Sequence, residues 1–305
     1  SDVCSSDLID AQVARRHRLW FTQATEDEWS SRERGSNHPL DATFAYGAYR
    51  AVYNMQTYYS GSPYHWGNYD SPVGRMCHYV MVFPGDDRFL GATDFVLNAP
   101  SNLGNDSTAV REQTVHWMAN QLGLPSTHRR FVQLYVMGLL RSRIFEDVQQ
   151  PSRDFVEEWF PGDTDGDLHK IEDWFEYSST YSFVNRNATL ERYVTAGELK
   201  RAPYRWMWRK RAVRGSANDY ANLFALVEAV NQPDADAFTR EVESLVDIEQ
   251  WMRTMALRRS VGDWDSYGYR RGKNMYAYKP ERGRWQLMSW DISFAMGMGD
   301  GVTAD

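Results

Sequence analysis

Asp265, Asn274 and Asp291 are the side chains of this sequence whose types and spacing best suit chemistry. They stand in Gly262-Asp-Trp-Asp-Ser-Tyr-Gly268, Lys273-Asn-Met-Tyr-Ala-Tyr-Lys279 and Trp285-Gln-Leu-Met-Ser-Trp-Asp-Ile292, with Pro280-Glu-Arg-Gly283 between the last two. Met275–Lys279 and Arg284–Trp290 favour strands, and the Pro-Glu-Arg-Gly joint is a short hairpin turn. A tight hairpin returns the chain to its starting level, so Asp291 is expected beside the loop that carries Asp265 and Asn274. Two carboxylates and a carboxamide around one point suit phosphoryl transfer. One carboxylate orients or deprotonates the attacking hydroxyl, while a carboxylate and an amide oxygen hold Mg²⁺ against phosphate oxygens. Asp and Asn beside a hairpin also serve as turn and capping residues. Asp263 either caps the turn or assists at the site.

The elements that must position these groups are legible in outline. Strand-like runs occur at Ala51–Tyr59, His78–Phe83, Phe89–Leu97 and Phe131–Met137, with a turn at Pro84-Gly85-Asp86-Asp87. Asp106 or Ser107 caps a helix to about Leu122, with Val110, Val115, Met118, Ala119 and Leu122 on one face. After the Gly/Asp turn at 161–167, Asp167–Phe175 reads as extended. Helices dominate from about Leu190 to Arg259: Asp219–Asn231, Asp234–Leu245, and a third capped by Asp247. Strands first and helices later imply an α+β fold in two lobes, strand-rich about 43–185 and helical about 186–305. Residues 9–42 read as a polar linker or lead-in. Residues 1–8 resemble a translated sequencing adapter and are set aside as non-native.

The chain has 305 residues, 42% hydrophobic and 14% aromatic, enough for a full core. Its 34 basic and 41 acidic residues leave −7, which argues against nucleic-acid binding and against non-specific attachment to anionic membranes. No run approaches the ~20 apolar residues of a membrane helix. With Cys4 in the set-aside stretch, Cys77 remains as a buried structural thiol, and no cysteine zinc site or disulfide framework is available. Asp163-Thr-Asp-Gly-Asp167 fails as a calcium loop, because Leu168 and Trp174 stand where Gly and Glu are needed. There is no phosphate loop or dinucleotide turn, so a nucleotide site must be atypical. His65, His78, His116, His128 and His169 show no ligand spacing. The Arg205–Arg214 run, with Trp206 and Trp208, reads as a solvated face whose tryptophans turn to the core rather than a polyanion grip.

In ordinary protein kinases the chain order is the same: catalytic Asp, metal-binding Asn, hairpin, metal-binding Asp. The usual His-Arg-Asp and Asp-Phe-Gly triplets are absent here. The three blocks resemble the Gly-Asn-x-Asp, Asn-x-Tyr-x-Tyr and Pro-Trp-Asp-x-Asp blocks of the CotH kinases, a family named for a bacterial spore-coat protein. Upstream segments agree in order: Phe89-Leu-Gly91 with Leu97-Asn98, Asp106-Ser107 with Arg111-Glu112, Gly123-Leu-Pro125, Val136-Met-Gly138 and Gly166-Asp-Leu-His-Lys170. The resemblance covers roughly residues 45–300.

The resemblance implies an atypical, protein-kinase-like fold that binds ATP with Mg²⁺ or Mn²⁺ and phosphorylates Ser or Thr of secreted or cell-envelope proteins. Asp265 would be the catalytic carboxylate, and Asp291, with Asn274, the metal ligand. Lys170 either meets ATP phosphates or is a solvated loop lysine. Glu146 either pairs with that lysine or approaches metal. Arg111 either braces phosphates or makes a surface pair along its helix. An acidic catalytic face would suit Lys/Arg-rich targets. Ser293 stands where the family usually has a second Asp, Met137 replaces a common Asn, and Ser142 a Gly. The chain ends at Asp305 where relatives continue, so it is expected to be a fragment. The alternatives are a catalytically inactive surface-binding or adhesion module using the aromatic 45–70 region, and a metal-dependent hydrolase with the same carboxylates. Oligomeric state and substrate identity are not readable.

Overall fold

A computed structural model describes residues 16–99, 106, 108–142, 144–177, 183–211 and 215–297. The set-aside N-terminal stretch with Cys4, Ser107, Arg214 and everything after residue 297 lie outside them. The fold is α+β, as the element pattern implied. It divides into two compact units, Ser1–Ala109 with Thr127–Gln150, and Val110–Ser126 with Pro151–Asp305.

In the first unit, β1 (Arg16–Trp20), β2 (Leu40–Tyr46), β3 (Arg50–Ser60), β4 (His78–Val82), β5 (Asp94–Asn98), β6 (Arg129–Val136), β7 (Leu139–Leu140) and β8 (Phe145–Gln149) form one sheet. Its order is β1-β2-β3-β4-β5-β8-β6-β7. β1 also pairs in parallel with β6, Arg16 opposite Gln133 and Leu19 opposite Val136, so the sheet closes as a barrel. Residues 16–42 are therefore an integral part of this unit and not a lead-in. The segment looks polar because β1 alternates, burying His17 and Leu19 while Arg16 and Trp20 face out. The helix α1 (Gln23–Ser31), capped by Thr22, buries only Trp29. The interior is aromatic: Phe44, Phe83, Phe89 and Phe95 lie with ring centroids 4.9 to 6.0 Å apart. Cys77 is buried in the same core, as expected. The strand anticipated over Phe89–Leu97 begins only at Asp94, because Leu90 and Gly91 adopt left-handed turn conformations.

The second unit holds α2 (Arg111–Gln121), α3 (Arg153–Trp159), β9 (Asp167–Ile171), β10 (Trp174–Tyr177), β11 (Phe183–Arg186), β12 (Val194–Thr195), β13 (Glu198–Leu199) and α4 (Arg201–Met207). These are followed by β14 (Trp208–Arg211), α5 (Ala221–Val230), α6 (Ala235–Leu245), α7 (Ile248–Ser260), β15 (Met275–Lys279) and β16 (Gln286–Ser289). The C-terminal part thus adds short strands to the helices and hairpin that the sequence pattern implied. Its main sheet runs β14-β9-β15-β16, every neighbour antiparallel. Because β9 pairs residue for residue with β15, the unit extends across residue 185, where the composition had suggested a boundary.

Strand alternation divides the β15 side chains between two cores. Met275 and Ala277 join Ile171, Trp208 and Leu287 under α5. Tyr276 and Tyr278 join Leu168, Met288 and the α3 residues Phe155 and Val156. A third cluster ties Val115 and Ala119 of α2 to Leu257, Val261, Ile292 and Ala295, which explains why α2 belongs to this unit. α2 starts at Arg111 rather than near Asp106, whose carboxylate accepts from the Thr108 N–H at 2.9 Å in a preceding turn. α6 and α7 carry the expected caps: Asp234 accepts from the Ala237 N–H, and Asp247 from the Gln250 N–H. Gln250 then clamps the edge strand β16, donating to the Leu287 carbonyl at 2.6 Å and accepting its N–H at 2.7 Å. Of the two tryptophans in the arginine run, Trp208 is buried but Trp206 is exposed.

Asp163 stands in a turn beside the hairpin. Its carboxylate accepts from the N–H groups of Glu281 and Arg282 at 2.7 and 3.1 Å, fixing the β15–β16 hairpin turn. Next to it the backbone approaches so closely that a Cβ on Gly166 would lie 2.0 Å from the Lys279 carbonyl oxygen. Gly166→Ala is therefore expected to cost roughly 1–3 kcal/mol and to lower Tm by about 2–10 °C, measured by thermal unfolding.

Candidate active site

The site is built outward from the end of α7. Gly262 takes a left-handed φ of 69°, and two backbone bonds close the helix: Gly262 N–H to the Arg259 carbonyl and Asp263 N–H to the Arg258 carbonyl, both 3.0 Å. This Schellman ending turns the chain back over its last turn. It brings the Asp263 carboxylate onto the Arg258 guanidinium, and both side chains are buried. Asp263 thus resolves as the partner of an arginine. The Ser266 hydroxyl donates to the Asp263 carbonyl at 2.9 Å, which tightens the loop that carries Asp265.

Asp265 and Asn274 meet directly. The Asn274 amide donates to the Asp265 carboxylate at 3.0 Å and to its backbone carbonyl at 2.8 Å. Both bonds use the nitrogen, so the Asn274 Oδ1 is left to act as a ligand. The hairpin returns Asp291 as expected: β15 and β16 pair through Met275 opposite Ser289, and one step on the Trp290 N–H donates to the Asn274 carbonyl at 3.0 Å. Asn274 and Asp291, flanking the end of that ladder, both have positive φ, 61° and 47°. Such conformations are strained for residues with a side chain and concentrate at functional sites. The Ser293 hydroxyl donates to Asp291 Oδ1 at 2.9 Å, and Glu112 of α2 accepts the Ile292 N–H at 3.0 Å.

Lys273 completes the group. Its ammonium lies 3.0 Å from the Asp265 carboxylate and 3.9 Å from that of Asp173. Asn185 donates to Asp173 at 2.9 Å. Burial raises the Asp265 carboxyl above the ordinary carboxylate range; Lys273 opposes this, while Asp291 and Asp173 add to it. Burial works against the Lys273 charge, but Asp265 and then Asp173 raise its pKa, so the ammonium stays charged. Burial pushes Asp263 up to about 6, with Arg258 opposing and Asp291 and Asp265 reinforcing. These mutual influences put Asp263, Asp265 and Asp291 in one electrostatic neighbourhood. Among the described residues no three His, Cys, Asp or Glu groups converge to hold a metal ion. A divalent ion on Asp291 and Asn274 would therefore complete its shell with phosphate and water oxygens, the usual habit of Mg²⁺ at nucleotide sites. The donor set fits that role.

The three other sequence candidates each take their place within their own unit. Lys170 pairs across the strands with Tyr276, and its ammonium makes an ion pair with Glu172, which also binds Arg209 at 2.7 Å. Lys170 is therefore a partnered residue of a sheet face and not a solvated loop lysine. Glu146 belongs to the barrel, where it pairs with Arg129 at 2.9 Å and accepts from Asn98. Arg111 begins α2, beside the Glu112 that anchors Ile292.

Sequence reasoning missed Lys273, Asp173, Arg258 and Glu112 as members of the site. Lys273 and Glu112 each adjoin a residue that was singled out, which was the available signal. Arg258 carried none, since arginine in a last helical turn ordinarily faces the helix dipole. Although burial raises it, the Glu172 carboxyl is pulled down to about 2 by Lys170 and Arg209. Its folded pKa lies below the ordinary 4.5, so its contribution to stability is complete above pH 4.5 and is lost as pH falls toward 2. Glu172→Gln should lower the urea midpoint at pH 7 and flatten the acid limb of the stability profile.

No curated protein matches the chain. The family model described as CotH kinase protein matches residues 81–304, most of the chain and a span that includes the three cores of the second unit and every group around Asp265. Together with the ordered blocks, this match places the chain in the CotH kinase family.

Proposed function

We propose that this protein is an ATP- and divalent-metal-dependent kinase that phosphorylates Ser or Thr hydroxyls of secreted or cell-envelope proteins. The observation that carries the reading is the meeting of Asp265, Asn274 and Lys273, with Asp291 returned beside them by the hairpin. Under it, the two units are the two lobes of an atypical kinase fold.

Asp265 receives the proton of the substrate hydroxyl as its oxygen bonds to the γ-phosphorus and the bond to the bridging oxygen of ADP breaks. Its raised pKa makes it a better base than an exposed aspartate, and the Asn274 amide and Lys273 ammonium fix its direction. Asp291 and the Asn274 Oδ1 would hold the Mg²⁺ or Mn²⁺, which when bound neutralises charge on the β- and γ-phosphate oxygens. Ser293 orients the Asp291 carboxylate from the position where relatives carry a second acid. Lys170 and Arg209 offer a cationic sheet face to further phosphates, and Arg111 a third cation at the start of α2. An acidic site of this kind favours acceptor segments rich in Lys or Arg.

The exposed Tyr49, Tyr53 and Tyr64 give the adhesion reading its support. Nucleotide binding separates the two. Mn²⁺ with ATP should raise Tm of the wild type and leave Asp291→Ala unmoved; no shift in the wild type would favour the adhesion module. Asp265→Asn should keep that shift yet lose about 10²–10⁴-fold in transfer of labelled γ-phosphate to protein. Label released only as free phosphate would point to a hydrolase. As pH falls, kcat/KM should drop through the Asp265 pKa, at a pH above the ordinary carboxylate range, because the base must be ionised to accept a proton.

A further inference from the structure

Arg258 lies on α7 and is 1% exposed. A guanidinium so buried needs acceptors for a fork of five N–H donors. Its two Nη groups find theirs at the end of the β15–β16 ladder. Nη1 donates to the carbonyls of Asn274 and Trp290 at 2.7 and 2.8 Å, and Nη2 to that of Asp291 at 3.2 Å. The Asp263 carboxylate balances the charge. One side chain therefore grips the backbone of both residues that take left-handed φ at this site, and of the residue before Asp291. The left-handed form costs a residue with a Cβ about 1–2 kcal/mol. Without that donor set the 291 carbonyl would lose its bond to Arg258 and the 274 carbonyl would keep the Trp290 N–H but not the guanidinium, so both left-handed residues would be less firmly held.

We propose that Arg258 is a positioning residue: its buried fork fixes the carbonyls of Asn274 and Asp291, and with them the left-handed backbone that sets the spacing of the two metal-binding oxygens. This rests on the reading of those residues as metal ligands, and it adds a residue that touches neither metal nor nucleotide. Its fork is the reason for arginine at this position: one nitrogen bonds the Asn274 and Trp290 carbonyls while the other reaches the Asp291 carbonyl and the Asp263 carboxylate, four acceptors that the single nitrogen of a lysine could not serve together.

The test compares Arg258→Lys and Arg258→Met with Leu223→Ala, a cavity in the core of the same unit. Mn²⁺ affinity is titrated in the presence of a non-hydrolysable ATP analogue, alongside Tm without ligand. Arg258→Lys should lose about 10–100-fold in Mn²⁺ affinity, the range for residues that orient ligands. Leu223→Ala should lose Tm and keep its affinity. Wild-type affinity in either Arg258 variant, or an equal loss in Leu223→Ala at equal Tm, overturns the proposal. If Arg258→Met does not fold, Arg258→Lys decides. Should the wild type bind no Mn²⁺ with the analogue, the kinase reading fails. The positioning claim is then judged on the crystal structure of Arg258→Lys, where φ at Asn274 and Asp291 should leave the positive region. Retention of both left-handed conformations would refute it.

Discussion

Removing a guanidinium and a carboxylate from water is costly, and the mutual attraction of a buried pair offsets that cost only when the remaining donors and acceptors are also satisfied. Arg258 meets this condition at its two Nη groups, through the backbone, while its Nε and the Asp263 Oδ1 are left without a hydrogen-bond partner among the described residues. The helix ending brings the carboxylate to the arginine, and the arginine's Nη groups also donate to carbonyls at the end of the hairpin. The rest of the site hangs from this arrangement. Asp265 follows Asp263 by two residues, and Asn274 and Asp291 are the residues whose carbonyls are held. Helix end, loop and hairpin are thereby one unit of structure, and the acidic groups cannot drift apart without exposing an unpaired charge inside the protein.

That unit is supported on three sides by apolar packing. The β15 strand divides its side chains between two cores, so displacement of the strand would disturb both. The α2 cluster grips Ile292 and Ala295 just beyond Asp291, and Glu112 ties down the Ile292 N–H. Gln250 clamps the edge strand from the other end of α7. Precision at the acidic group therefore comes from a rigid sheet, and not from the loop alone.

The hairpin was legible because Met275–Lys279 and Arg284–Trp290 have strand composition around a Pro-Glu-Arg-Gly turn, and the return of Asp291 beside the loop followed from the turn's shortness. The caps at Asp234 and Asp247 were legible because a carboxylate before an amphipathic run has a local physical meaning. What escaped notice was non-local. Nothing near Arg16–Trp20 says that β1 will pair with β6, because a parallel pairing is set by topology rather than by neighbouring residues. Lys170 and Glu146 were singled out one by one, but their actual partners, Glu172 and Arg129, are fixed by strand register. Arg258 reads in the sequence as an ordinary helix-end cation, and only its burial reveals its work.

The closure of the barrel has a bearing on how the chain acquires its shape. β1 must wait for β6, since Leu19 is paired with Val136, and α2, made in between, belongs to the other unit. During synthesis the early strands can form their antiparallel meander, but the seam stays open until the β6 segment has emerged. The α2 segment must meanwhile remain unplaced until α7 and the residues near Ile292 arrive. Both units are thus completed late, with an unpaired strand edge exposed in the interval, a state prone to association with other chains.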